Sequence, residues 1–388
     1  MTTTPPSRTA SSPDPMTDSD KAAGSPRRSG LARLGAVPTS SFVLVLLAAL
    51  LLWCLGTPQV RLRGRAVAVV VAAVVVAAGP LIPAFTHGSG QATVALVQGS
   101  VPGKGLDFLG RARTVTHNHL AGTQKLAAAV AAGTLPRPDF VVWPENSTDI
   151  DPFADQITRH DIETAVDAVG VPILVGAVLD GPGPQNARNV GIVWNPATGP
   201  GQIYVKRHLV PFGEYVPMRS LVTRIVPWIA DYIPRDLVPG HRSGALTIAG
   251  IRVGDMLCFD TAYDDSPRDD VRAGARLLVV QTNNATYTGT GQPDQQWQVT
   301  RFDALAFGRA AVVASTNGRS GLIGADGHDL ATLPTVVQTY TSAPMQLRSG
   351  QTPAVWLAGW LEAGLATVGA LAAAGGWWRG RRSRRARS

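Results

Sequence analysis

Three stretches of this chain are almost free of charge: Leu34–Thr57, Ala66–Phe85 and Trp356–Trp378. Each holds roughly 20 residues, about what a helix rising 1.5 Å per residue needs to cross a hydrocarbon core. They constrain the fold more than the total of 388 residues does, because they divide the chain into membrane-like and water-like parts. A buried core helix or a secretory signal is the competing reading of each. A cleaved signal is disfavoured, since a polar leader of 33 residues precedes the first stretch and a second apolar stretch follows at once. The expected organisation is a disordered polar leader at 1–33, rich in Ser, Thr, Pro, Asp and Arg, then two transmembrane spans within 34–85. A water-facing domain over 91–347, a third span at 356–378 and an Arg-rich tail at 379–388 complete it.

The net charge of +8 is concentrated at the C-terminal end. Arg379, Arg381, Arg382, Arg384, Arg385 and Arg387 supply six charges with no acid among them, which leaves +2 for the remainder. Basic residues just past an apolar span mark the cytoplasmic side and suit anionic headgroups, so nucleic acid is excluded as a partner. Arg61, Arg63 and Arg65, between the two N-terminal stretches, belong on the same side. The segment 91–347 then lies on the extracytoplasmic face. So does the N-terminus, despite Arg27, Arg28 and Arg33; either the first stretch does not cross, or the chain is a shortened form.

Between the spans, strand-like apolar runs alternate with helix-like stretches, as in an α/β domain rich in parallel pairing. Candidate strands are Thr93–Gln98, Phe140–Trp143, Ile173–Leu179, Asn189–Trp194, Ile203–Lys206, Ile251–Leu257, Leu277–Thr282, Ala311–Ser315 and Gly321–Gly324. Candidate helices are Leu106–Ala132, Ala154–Val169 and Gln295–Phe307. Leu221–Leu237 reads as a loop-like segment unusually rich in apolar residues, a candidate lid or lipid-facing arm.

Only two cysteines occur, and Cys54 lies inside an apolar stretch, so a disulfide with Cys258 is implausible. A lone thiol is ordinarily a buried small hydrophobe. To attack a carbonyl it needs a base and a nearby cation. Glu145 and Cys258 each follow an apolar strand, where a sheet fixes the backbone and the side chain reaches a crevice. Pro144 forces a turn directly before Glu145. Taken singly, Glu145 is a solvated cap and Lys206 a surface residue. The seven histidines show no metal-ligand spacing, and the chemistry calls for no cofactor.

Glu145 in Val-Val-Trp-Pro-Glu-Asn-Ser, Lys206 in Tyr-Val-Lys-Arg-His, and Cys258 in Gly-Asp-Met-Leu-Cys-Phe-Asp resemble, in this order, the nitrilase or carbon–nitrogen hydrolase superfamily. Val210-Pro211-Phe212-Gly213-Glu214-Tyr215-Val216-Pro217, with apolar spans on both sides, resembles the apolipoprotein N-acyltransferases within it. The resemblance covers residues 42–378 and implies a nitrilase-like four-layer α-β-β-α sandwich flanked by transmembrane helices. It implies Cys258 as nucleophile, Glu145 as general base and acid, and Lys206 as the oxyanion-stabilising cation. It further implies Glu214 as a second essential glutamate, orienting Lys206 or stabilising the intermediate, with a structural ion pair as the bland alternative. Trp228, Tyr232, Asn283 and Phe259 are candidate substrate or lid residues.

The chain departs from the family at several points. Cys258-Phe259-Asp260 stands for Cys-Tyr-Glu, which removes a hydroxyl and shortens a carboxylate arm. Asn283-Asn284-Ala285-Thr286-Tyr287 stands for Asn-Asp-Ala-Trp-Phe, and Ala306 stands for a glutamate. Fewer N-terminal spans are present than the family has. The implied reaction takes an acyl chain from a membrane phospholipid through a Cys258 thioester to the terminal amine of a diacylated apolipoprotein. Another membrane protein supplying helices would be a further partner. A membrane-anchored amidase acting on a small substrate, and a catalytically incomplete remnant, are the competing readings.

Overall fold

The computed structural model describes residues 85–100 and 113–357, with isolated positions at 70 and between 360 and 378. Two-residue alternation decides the architecture. Along β1 (Thr86–Gln98), Ala92, Val94 and Leu96 point to one side while Ala95 and Val97 point to the other. In β2 (Phe140–Val142), Phe140 and Val142 face one way and Val141 the other. With both faces apolar, such strands must be covered on both sides.

The first sheet continues through β3 (Ile173–Asp180), β4 (Asn186–Asn195) and β5 (Gly199–Val205), with the short β6 (Asp236–Leu237) against β4. The second comprises β7 (Ala245–Ile248), β8 (Ile251–Leu257), β9 (Leu277–Thr282), β10 (Ala311–Ser315), β11 (Gly321–Ile323) and β12 (Asp329–Thr332). The last strand, β13 (Thr339–Gly350), returns to the edge of the first sheet, giving the order β13-β1-β2-β3-β4-β5. The second sheet keeps sequence order, β12 to β7. Among the named strands, parallel pairing is confined to β1-β2-β3, β8-β9-β10 and the β4-β6 contact; hairpins and the long-range β1-β13 pair make the rest antiparallel, so the sheets are mixed rather than parallel-rich.

The sheets face each other across a core that includes Val94, Leu96, Phe140, Leu174, Val253, Leu257, Val279 and Val312. Helices α1 (Thr114–Ala131) and α2 (Gln156–Val169) cover the outer face of the first sheet through Leu120, Leu126, Ile162 and Val166. Helices α5 (Asp265–Arg272) and α6 (Gln292–Phe307) cover the second through Val271, Trp297, Ala304 and Phe307. The result is the four-layer α-β-β-α sandwich. Each large aliphatic side chain so buried contributes about 1.5–3 kcal/mol.

The helical boundaries follow local chemistry. Asp155 accepts from the Thr158 N–H and caps α2, while Gly170 closes it at φ 67°. Leu221–Leu237 is not loop-like: it forms α3 (Arg219–Ile225) and α4 (Ile229–Tyr232), and Ile229 and Ile233 pack with Val216 in a small cluster of their own. The described part of the first candidate helix begins at Thr114; its expected start at Leu106 lies outside the described residues, as do the leader, the basic tail and nearly all of the three apolar stretches. Among the described residues, no helix is long and apolar enough to cross a membrane.

Candidate active site

Gly176 on β3 allows the first catalytic candidate to sit down on the sheet. A Cβ there would collide with the Pro144 carbonyl and lie 2.7 Å from Glu145 Cα, so only glycine lets the Trp-Pro-Glu turn pack against this strand. Glu145 is buried at 3 % exposure. Its Oε1 accepts from Lys206 Nζ at 2.8 Å and from Asn189 Nδ2 at 2.7 Å. Its Oε2 accepts from the Asn283 backbone N–H at 2.8 Å. Burial raises the Glu145 pKa, the Lys206 charge opposes that, and Glu214 adds to it.

Lys206 follows β5 directly and is 1 % exposed. Its backbone is fixed on both sides: the N–H donates to Asn189 O at 2.9 Å, and the carbonyl accepts from Gly240 N at 2.8 Å. Nζ bridges Glu145 Oε1 and Glu214 Oε1, each at 2.8 Å. Burial pushes the ammonium down, but Glu145 and Glu214 outweigh it, and its pKa lies well above the ordinary lysine value. Glu214 Oε2 accepts from the Val210 N–H at 2.8 Å, and Asn189 Nδ2 donates to Glu214 Oε1 at 3.0 Å. Two donors thus face two carboxylates. An ammonium so enclosed holds a fixed position, and removing it would leave two like charges together.

Cys258 begins the 3-10 turn after β8 with φ 46°, a left-handed conformation that costs a non-glycine residue energy. Asp260 secures this turn. Its Oδ2 accepts from Leu257 N–H at 3.0 Å and Tyr204 O–H at 2.8 Å, and its Oδ1 from His208 N–H at 2.9 Å. The shortened carboxylate arm therefore ties the cysteine turn to the loop after Lys206. Burial and the nearby Glu145 charge push the Cys258 thiol up to about 12, against the opposing pull of Lys206. Near neutral pH the sulfur therefore keeps its proton.

The structure brings Glu145, Lys206 and Glu214 into direct contact, and the charges of Glu145 and Lys206 act on Cys258. Asn283 joins them through its backbone; its side chain accepts instead from Thr316 Oγ1 at 2.8 Å, tying in the Ser315–Gly318 turn. Phe259 packs edge-on against Tyr263, with centroids 5.4 Å apart. Trp228 and Tyr232 lie on the arm, 65 % and 42 % exposed. Tyr287 stands near the sulfur; burial raises its pKa first, with the Cys258 and Tyr232 charges adding.

Sequence reasoning missed Asn189 and Gln296. Asn189 opens a candidate strand as a polar residue at a buried position, a signal that could have drawn notice. Gln296 donates to Cys258 O at 3.1 Å from α6, and nothing in its sequence context singles it out. Among the described residues no group of His, Cys, Asp and Glu converges as a metal site.

Residues 93–352 match the carbon–nitrogen hydrolase family. An apolipoprotein N-acyltransferase of Mycolicibacterium smegmatis is 37% identical over 350 residues, which are 84% of this chain and 58% of that protein. One from Methylococcus capsulatus is 29% identical over 229 residues, 58% of this chain and 44% of that protein. The chain thus spans about half the length of these curated relatives. Among solved structures, an amidase from Nesterenkonia sp. shares 17% identity with a TM-score of 0.47, covering 69% of this chain and 92% of that one.

Proposed function

This chain belongs to the carbon–nitrogen hydrolase family, and on that premise we propose that it is an N-acyltransferase working on lipid. It moves a fatty acyl chain from a membrane phospholipid to the N-terminal α-amine of a diacylglyceryl-cysteine lipoprotein. The observation that carries this reading is an exposed apolar arm beside the buried Glu145–Lys206 pair and the half-buried Glu214 and Cys258. Met218, Leu221, Ile225 and Trp228 are 72 %, 49 %, 72 % and 65 % exposed on it. An apolar patch of this kind marks an interaction surface. A phospholipid donor stays in its bilayer, held by about 0.8 kcal/mol for each buried methylene, so the enzyme must go to it. The named relatives support the same substrate class.

The reaction is ping-pong. Glu145 takes the Cys258 proton as the sulfur attacks the ester carbonyl and the C–S bond forms. Lys206, fixed by its two carboxylates, stabilises the oxyanion. The C–O bond then breaks, and the departing alkoxide takes the proton from Glu145 to leave as a lysophospholipid. In the second half the acceptor amine attacks the thioester, the C–N bond forms and the C–S bond breaks. The amine proton passes through Glu145 to the leaving sulfur.

The apolar stretches and the Arg-rich tail support a multi-pass protein of the bacterial cytoplasmic membrane, with the 91–347 domain on the extracytoplasmic face. Another membrane protein supplying helices is a proposed partner. Purified chain, phospholipid vesicles and a diacylated lipopeptide with a free amine, followed by mass spectrometry, test the activity. A gain of one acyl chain that Cys258→Ser abolishes is expected. Hydrolysis of small amides without acyl gain would overturn the reading in favour of an amidase.

A further inference from the structure

The ammonium of Lys206 is engaged by two carboxylates, so it is only a partial donor for the sulfur. A second donor stands on the other side. Gln296 Nε2 lies 3.1 Å from the Cys258 carbonyl oxygen and 3.6 Å from its Sγ. A side-chain amide can be turned either way, but here the orientation follows from chemistry. A carbonyl oxygen only accepts, so the atom facing Cys258 O must be the amide nitrogen. The opposite end agrees: Gln296 Oε1 accepts from Asn284 Nδ2 at 2.9 Å and faces the Thr282 hydroxyl at 2.9 Å.

These braces are themselves fixed. Thr282 ends β9 and Asn284 follows it, both 1 % exposed. Asn284 Nδ2 also approaches Gln292 Oε1, one turn earlier on α6, at 3.2 Å. Gln296 therefore presents two N–H groups to two acceptors, the carbonyl and the sulfur of the same residue. The Thr282 hydroxyl also approaches the sulfur, but its single proton faces Asn284 Oδ1 at 2.8 Å as well as Gln296 Oε1. Gln296 is the donor committed to Cys258.

We propose that Gln296 is a further catalytic residue, whose amide N–H holds the Cys258 sulfur whenever that atom carries negative charge. It does so twice in a cycle. The first occasion is when Glu145 removes the thiol proton and the C–S bond forms. The second is when the C–S bond of the thioester breaks and the electron pair returns to sulfur. A neutral donor serves both moments without adding net charge to a site that already holds two carboxylates and one ammonium. The same amide, bonded to the Cys258 carbonyl, steadies the left-handed turn that presents the sulfur. The proposal rests on the reading of Cys258 as nucleophile.

The test reads the sulfur directly. Purified full-length protein is alkylated with iodoacetamide across a pH series, and modification at Cys258 is followed by peptide mass spectrometry, which separates it from Cys54. Gln296→Met removes the donor at similar length. It is expected to slow alkylation roughly tenfold at each pH from about 7 to 9, where the thiolate is the minor form, the scale of one hydrogen bond to a charged group. Gln296→His returns an N–H and is expected to recover a large part of the rate. A folded Gln296→Met chain with an unchanged profile overturns the proposal, because a mere brace would alter melting and not this rate. If Gln296→Met does not fold, Gln296→Asn decides: its withdrawn donor must still slow alkylation across the same pH range, and an unchanged rate overturns the proposal. Retained acyl transfer in Cys258→Ser would sink the nucleophile assignment instead, an outcome the alkylation profile does not share.

Discussion

The floor of the site and the arm beside it follow opposite plans, although only 12 residues separate Lys206 from Met218. On the floor, Glu145, Lys206 and Asn189 are almost fully buried, and the polar contacts joining them to Glu214 span 2.7–3.0 Å. The arm has its own small cluster of Val216, Ile229 and Ile233, held by the Arg219–Asp236 pair at 2.6 Å, and turns Ile225 and Trp228 outward. Carbonyl chemistry requires atoms placed to within a fraction of an ångström, and strand ends provide that. The proposed contact with acyl chains requires apolar area and no fixed register, which suits a short helical pair.

Substitutions can break or sharpen this contrast. Cys258→Ser is expected to cut acyl transfer by at least about a thousandfold while the melting temperature stays put, as read by lipopeptide acylation beside a thermal melt. Lys206→Met comes next. It leaves Glu145 buried without its cation, beside Glu214, and is expected to destabilise the domain by about 3–5 kcal/mol. Burial already raises the Glu145 pKa and Lys206 opposes that rise, so without the ammonium its carboxyl gains proton affinity in the folded state and the loss should grow with pH; melts at acid and neutral pH check this. Gly176→Ala should push the Trp-Pro-Glu turn off β3 and cost about a hundredfold in rate, the scale of a roughly 1 Å misplacement.

The arm should answer differently. The double substitution Ile225→Ser and Trp228→Ser is expected to change stability by under about 0.5 kcal/mol, as exposed sites do. It should lower transfer from vesicles about tenfold, yet spare a short-chain soluble ester. Equal loss on both substrates would erase the distinction between floor and arm.

The smallest effect concerns Asp255, between the sheets, whose two oxygens have no partner. Burial, then the charges of Asp260 and Glu145, hold its pKa well above the usual range. The folded chain therefore keeps a proton that the unfolded chain releases, and stability falls as pH rises above the ordinary carboxylate range. Asp255→Asn should flatten that slope in a series of melts from about pH 5 to 8.

What the sequence made legible follows from the same physics. Ile251–Leu257, Leu277–Thr282 and Ala311–Ser315 are short segments rich in aliphatic residues, and the strands match them end to end. β7, β12 and β13 escaped notice: β7 has four residues, β12 is mostly exposed, and β13 carries Pro344 and polar residues along an edge. Glu145, Lys206, Glu214 and Cys258 were readable because distinctive neighbours surround them. Asn189 and Gln296 were not, because a polar residue acquires its task only when folding brings its partners across. The arm misled for a related reason. Ile229 and Ile233 point inward while Ile225 and Trp228 point out, and a short helical pair with two apolar faces reads as a loop without periodicity.

The antiparallel pairing of β1 with β13 joins Thr86 to Gly350 at its far end. Arg309 fastens that end to the body through the Gly350 and Ala275 carbonyls. Entry to and exit from the domain therefore lie side by side. On the proposed membrane anchoring, two tethers rooted at one point act mechanically as a single swivel: they limit how far the domain travels but set no heading for it. Lengthening one of them alone would not release it. Heading has to come from elsewhere on the surface, and the arm with Ile225 and Trp228 is the natural rudder.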